Sequence, residues 1–385
     1  MVPSQPSETR IPALDGLRGI AAIMVIAWHL TGSMVNRQGW SEMVYATTIF
    51  GRTGVDLFFV LSGFLIVGIL IDRRRSKNLF SVFYVRRACR ILPPYMVLIA
   101  LYWLCFLLLG SSEAFNNDGF PLNLMAQASM LWNAAMSWAD NGIARGFSIT
   151  WSVNIEEHFY LVFPALVWVC PRERIAHLLV IIGLGSWAAR VGFHLTYPQY
   201  ELAPYVLTPF RLDGLCVGGL LALGYRCAFV WKIAVKKRVA LLAAATVSVL
   251  CVPFQIALIR HELAWHMYLW GHAWLSVVYA LVIAAVVLNA HKLSFLSSFP
   301  LSLAGRYSYS LYLFHPLFLS LFFVVAGRRE LVLGWYDVAL VVGSLAVTVA
   351  FCVALFETVE KRFQRLGHRH RYEAGVTSTA LKPAG

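Results

Sequence analysis

The stretch Arg10–Thr31, RIPALDGLRGIAAIMVIAWHLT, decides how the chain is read. It meets the length of about 20 mainly apolar residues that a membrane helix needs, yet Arg18 and His29 interrupt it. An ionisable side chain within a span costs several kcal/mol unless it faces protein or a watery cavity. At the helical pitch, this separation amounts to about three turns plus 20°, so both side chains share a face, about 16 Å apart. His29 is suited to take a proton from a hydroxyl near neutral pH. The bland alternative is a neutral imidazole bonded to a backbone carbonyl. No small-residue cleavage site follows, so the segment reads as a retained helix and not a signal peptide.

The rest of the chain repeats the pattern. Of 385 residues, 59% are hydrophobic and 13% charged, which excludes an ordinary soluble enzyme. The expected class is all-α, a polytopic membrane protein with about ten transmembrane helices. Their expected ranges are 11–31, 54–71, 94–110, 149–170, 175–193, 206–226, 239–258, 268–290, 299–325 and 336–356. Residues 1–370 form one membrane domain, 110–147 an exposed connector, and 371–385 a disordered tail. The seven cysteines lack paired spacing and read as packing residues, with no disulfide or metal site.

A net charge of +13 raises nucleic acid as a partner, but its distribution argues for a lipid bilayer and no nucleic acid. With both termini inside, 23 of the 32 Lys and Arg residues fall on the inner side. Six (Arg37, Arg52, Arg145, Arg260, Arg328, Arg329) fall outside, and Arg18, Arg190 and Arg211 belong to spans. The positive-inside rule then gives a multi-pass protein of the inner (plasma) membrane with both ends cytoplasmic. Arg18 sits in the inner half of its span and His29 in the outer half. Asp56, Glu156, Glu157, Arg211 and Asp213 come to similar outer depths, and His315 lies near the middle of its span. Facing lipid, such a set would be too costly, so the expectation is one polar cavity opening outward.

Each motif has a bland reading beside the functional one. In GRTGVDLFFVLSGFLI (51–66), Asp56 orients His29 or receives a cation, while Ser62 and Gly63 permit close helix packing. FYVRRACRILPPY (83–95) carries Arg86, Arg87 and Arg90; guanidinium forks suit phosphates, or else bind anionic lipid headgroups. WSVNIEEHFYLVFP (151–164) places Glu156 and Tyr160 on one face with Glu157 beside it. Those carboxylates either serve the chemistry or pair with Arg211 of FRLDGLCVGGLLA (210–222), which also carries Asp213. GRYSYSLYLFHPLF (305–318) puts Ser308, Tyr309, Tyr312 and His315 on one helix, with Pro316 positioned to free a carbonyl.

In this order, these motifs resemble the acyltransferase family 3 membrane proteins, over about residues 10–366. Glu357, Glu360 and the Lys-Arg pair that follows match as well; His158 stands where many members have Gln. The resemblance implies ten spans and transfer of an acyl group, commonly acetyl from acetyl-CoA or another acyl-CoA, to hydroxyls of surface glycans. It implies that Arg18 and His29 are an essential pair, with roles for Asp56, the Arg86/Arg90 region, Glu156/Glu157 and His315. The expected partners are acyl-CoA and a carbohydrate or glycolipid acceptor. The expected catalytic residues are His29, Arg18, Glu156, Asp56 and His315. Arg86, Arg87, Arg90 and Arg18 would hold the donor; Glu157, Tyr160, Arg211 and Asp213 would hold the acceptor. Acylation of a small molecule such as a macrolide is an alternative. So is a transporter or flippase for a lipid-linked sugar, against which stands the lack of a repeat with paired interrupted helices.

Overall fold

The computed structural model describes residues 11–32, 44, 48–109, 125–138, 149–258, 263–327 and 335–373. Among these there is no strand. The helices are α1 (Pro12–Gly32), α2 (Gly54–Arg73), α3 (Leu79–Leu109), the short α4 (Trp132–Trp138), α5 (Thr150–Val169), α6 (Ile175–Thr196) and α7 (Leu212–Arg226). They continue as α8 (Ala228–Lys236), α9 (Arg238–Leu258), α10 (His272–Leu288), α11 (Phe299–Val325), α12 (Trp335–Leu355) and α13 (Lys361–Arg369). Each of the ten expected spans overlaps a helix of 15 residues or more. Seven helical stretches among the described residues are long and apolar enough to cross a membrane, or eight if α7 and α8, bent by 92°, count together. The chain is an all-α polytopic membrane protein.

Burial follows from helical periodicity. On α1, Leu14, Leu17, Ala21 and Val25 recur at three- and four-residue spacing and form a buried stripe. The central α2 is buried nearly all round, from Val55 to Leu70. Two close approaches set the frame, and both depend on glycine. A Cβ on Gly63 would run into the Leu215 carbonyl of α7, and one on Gly305 of α11 into the Asp15 carbonyl of α1. Small residues let membrane helices touch backbone to backbone. These contacts lock α2 to α7 and α1 to α11. Large apolar side chains such as Leu184, Leu250 and Val342 are left exposed on outward faces, as suits a lipid solvent.

Four boundaries differ from expectation. The third helix begins at Leu79, well before residue 94, so Arg86, Arg87 and Arg90 ride on the same rod as Pro93 and Pro94. The 206–226 segment is not one helix: Pro209 ends it in a short turn, and α7 starts after Arg211. Part of the expected 110–147 loop is α4, whose Trp132 and Asn133 are buried. Asn133 donates to the Val206 carbonyl at 3.2 Å and to Thr208 Oγ1 at 2.9 Å. Finally, residues 371–373 do not start a loose tail. Asn78 Nδ2 donates to the Arg371 carbonyl at 3.0 Å, and the Glu373 amide to Asn78 Oδ1 at 2.9 Å. Residues 374–385 lie outside the described residues, as do Arg37, Arg145, Arg260, Arg328 and Arg329.

Candidate active site

The packing of α1 on α11 brings His29 against His315, with ring centroids 5.0 Å apart and ring planes at 68°. Each Nδ1 is tied to the carbonyl one turn back: His29 to Val25 at 2.8 Å, His315 to Leu311 at 2.9 Å. A carbonyl only accepts, so Nδ1 carries the proton in both neutral rings and Nε2 carries the lone pair. The carbonyl bond foreseen as the bland reading therefore presents the basic nitrogen. Despite Pro316, α11 runs unbroken through His315. Tyr312, one turn before His315, bonds Ser152 Oγ at 2.5 Å and packs its ring 6.2 Å from that of His315.

Arg18, at the other end of the same face of α1, lines two adjoining spaces. The inner one is about 80 Å³ and is lined by Arg18, Arg87, Arg90, Glu156, Glu157 and Tyr160, together with Ser62 and Tyr312. Ser62 Oγ donates to Glu156 Oε1 at 2.8 Å, and the Tyr160 hydroxyl to Glu156 Oε2 at 2.8 Å. The expected shared face of Glu156 and Tyr160 is thus a hydrogen bond. Glu157 lines the same space, although adjacent helical residues diverge. Its buried Oε1 has no hydrogen-bond partner among the described residues.

The outer space is about 930 Å³ and shares Arg18, Leu65, Arg87 and Arg90 with the inner one. Seven arginines line it: Arg18, Arg73, Arg86, Arg87, Arg90, Arg172 and Arg226. Such a volume is at the upper end of small-molecule sites. Arg226 is held by Asp72 through two bonds of 2.7 and 2.5 Å. Arg86 is anchored by the segment that follows α13: its Nε and Nη2 donate to the His370 carbonyl at 3.0 and 2.7 Å, and Tyr372 lies 4.9 Å from its guanidinium. Arg86, expected to hold a phosphate, thus has two donors engaged with the backbone. No distant signal in the sequence links residues 86 and 370.

The match to known proteins covers all of this arrangement but the segment after residue 357. A family model described as an acyltransferase domain matches residues 11–357. The chain belongs to acyltransferase family 3. The family-3 chain is 30% identical over 328 residues to the peptidoglycan O-acetyltransferase OatA of Listeria monocytogenes serovar 1/2a, with 80% of this chain and 49% of that protein covered. It is 27% identical over 325 residues to the O-acetyltransferase OatA of Staphylococcus aureus (strain NCTC 8325 / PS 47), covering 80% of this chain and 50% of the relative. The chain spans about half the length of these curated relatives. No solved structure matches it.

The family-3 domain holds a second set of buried charges, and here the expectation of a single polar cavity is corrected. Asp56 does not reach His29. Its Oδ1 accepts from Arg211 Nη2 at 2.8 Å and from His272 Nδ1 at 3.0 Å. Arg211 therefore pairs with Asp56 and not with Glu156. Asp213 pairs with Arg190 at 2.8 Å, and Arg190 also donates to the carbonyls of Tyr268 and Phe210. The Arg211 guanidinium is flanked by Phe59, Trp151 and Tyr205 at 5.3–5.9 Å. The separation has a simple cause: on α2, Asp56 and Ser62 are six residues apart, about 9 Å of helix. Asp56 meets the arginine of α7 at one level, and Ser62 meets the glutamate of α5 at another. No local signal in the sequence marks His272, and Arg190 reads there only as a span charge. A lone arginine in an apolar span was the signal for its acidic partner.

Proposed function

We propose that this chain is an integral membrane O-acyltransferase. It moves an acyl group, most simply acetyl, from cytosolic acyl-CoA to a hydroxyl of a cell-surface or lipid-linked carbohydrate. The observation that carries this reading is the seven-arginine cavity that reaches Arg18, on the helix that also bears His29. The O-acetyltransferase relatives support the chemistry and the carbohydrate acceptor. The crowding of arginines around one cavity supports placing that end, with both termini, on the cytoplasmic side.

In this reading the donor phosphates bind among Arg87, Arg90 and the other cavity arginines, whose forks match phosphate oxygens. The thioester arm passes Arg18 toward His29. The acceptor hydroxyl attacks the thioester carbonyl; the C–O bond forms and the C–S bond breaks. His29 Nε2 takes the hydroxyl proton directly, or the imidazole first carries the acyl group. Coenzyme A leaves as its thiol. Arg18, about 16 Å from His29 along α1, lines the path of the pantetheine arm; Glu156, Tyr160 and Glu157 shape the inner space, and His315 sets the orientation of His29.

Replacing His29 with Ala tests the assignment. Membranes bearing His29→Ala should contain as much folded protein as wild type and transfer label from acetyl-CoA at least about 100-fold more slowly. Envelope glycans from those cells should lack the mass increment of an acetyl group. Wild-type turnover in the variant would remove His29 from the chemistry.

A further inference from the structure

The turn leading into α2 presents a cation that the mechanism leaves unused. Gly51 and Gly54 bracket Arg52 and Thr53, and both glycines lie on the backbone of α1. A Cβ on Gly51 would run into the Met24 carbonyl, and one on Gly54 would stand 2.7 Å from the Ala21 carbonyl. On its other side the turn is tied by a hydrogen bond between Thr53 and the Tyr279 hydroxyl of α10. The backbone of Arg52 is thereby pressed on the last turns of α1, within electrostatic reach of His29.

The Arg52 guanidinium lies over the Trp28 ring at 5.3 Å and the Tyr205 ring at 5.7 Å. Aromatic faces attract a cation and fix its plane without consuming its N–H donors. Among the described residues no carboxylate pairs with Arg52. The neighbouring acids are committed elsewhere, Asp56 to Arg211 and His272, Asp213 to Arg190. Arg52 lines neither of the spaces that meet at Arg18. It stands at the opposite end of the Arg18–His29 face, half-buried. A positioned guanidinium with unspent donors beside the proposed base is built to receive an anion.

We infer that Arg52, backed by Trp28 and Tyr205, is an acceptor subsite for an acidic saccharide. A carboxylate or phosphate on the acceptor docks on the guanidinium fork, whose plane the two aromatic faces hold. That contact holds a neighbouring hydroxyl at His29. The inference deepens the acyl-transfer reading and rests on it for the role of His29; the binding itself can be measured without turnover.

The test is saturation-transfer NMR on the purified full chain in lipid nanodiscs, with coenzyme A in excess so that the seven-arginine cavity is filled. The probes are trigalacturonate against its methyl ester and glucose 1-phosphate against glucose. Wild type should bind at least one acidic probe about tenfold more tightly than its neutral counterpart, the size of one charge-assisted hydrogen bond. Which acid is preferred tells carboxylate from phosphate. Arg52→Gln should erase the preference, and Arg52→Lys should keep part of it. Equal binding of acid and neutral probes by wild type, a comparison needing no variant, overturns the subsite; so does a preference that survives Arg52→Gln. An acid preference in a protein that transfers no acetyl would sustain the subsite and defeat the acyl-transfer reading. Transfer without any acid preference would do the reverse.

Discussion

Among the described residues, one group of charges is buried and another half-buried, and they are built on opposite plans. Around Asp56, Arg211, His272, Arg190 and Asp213, each carboxylate meets a cation at 2.8 to 3.0 Å, and aromatic rings fill the rest. Around Arg18, Arg87, Arg90, Glu156 and Glu157, the charges line space instead. Paired and packed charge serves as scaffold; charge that borders a cavity is kept ready for something that arrives. The difference matters because the residue types are the same in both places.

Breaking the scaffold should have the largest effect. Removing one partner of a buried ion pair costs about 3–5 kcal/mol, so Asp56→Ala should deplete folded protein from the membrane. Thermal denaturation and membrane yield would show it. The double change Asp56→Leu with Arg211→Met should restore most of the yield, because no charge is then left unpaired. If that double variant accumulates normally yet has no turnover, the ion network belongs to the chemistry and the contrast collapses.

On the cavity side the expected loss is in binding. Arg87→Ala combined with Arg90→Ala should raise the KM for acyl-CoA by at least about a hundredfold, with the protein still folded, since each of the two charged contacts is worth about 1.5–3 kcal/mol and about 1.4 kcal/mol is tenfold. An unchanged KM would move the donor elsewhere. Glu156→Gln keeps one acceptor oxygen and offers an NH2 to the other hydroxyl, which turns to accept it, so the contacts persist while the charge is removed; the expected outcome is a drop in kcat of about tenfold with little change in melting. A melting loss as large as that of Asp56→Ala would class Glu156 with the scaffold. Smallest of all is Asp72→Asn at the cavity rim. Its pair with Arg226 is 24% and 45% exposed on the two sides, so at most about 1 kcal/mol of stability is at stake.

Much of this could be read before any coordinates. Arg18, His29 and His315 stood out because ionisable groups are rare in apolar spans, and ten apolar stretches gave the helices. The depth of each group was less legible. Span ends are uncertain by several residues, and a few residues of helix separate the level of Asp56 from that of Ser62. Partners were harder still. Nothing local in the sequence joins Asp56 to His272 or Arg86 to the His370 carbonyl, because those links are made by helix packing across more than half the chain. Arg52 counted only as a loop charge until the two glycines beside it proved to clamp its turn on α1.

The wall of the 930 Å³ cavity is drawn from Ile11, Leu14 and Asp15 near the beginning and Gln364, His368 and Tyr372 near the end. A nascent chain therefore cannot complete this chamber until translation has passed Tyr372, however well its earlier helices have inserted. Premature termination, or a fusion that pulls the final helix away, would leave a bundle able to sit in the bilayer with one side of that chamber missing.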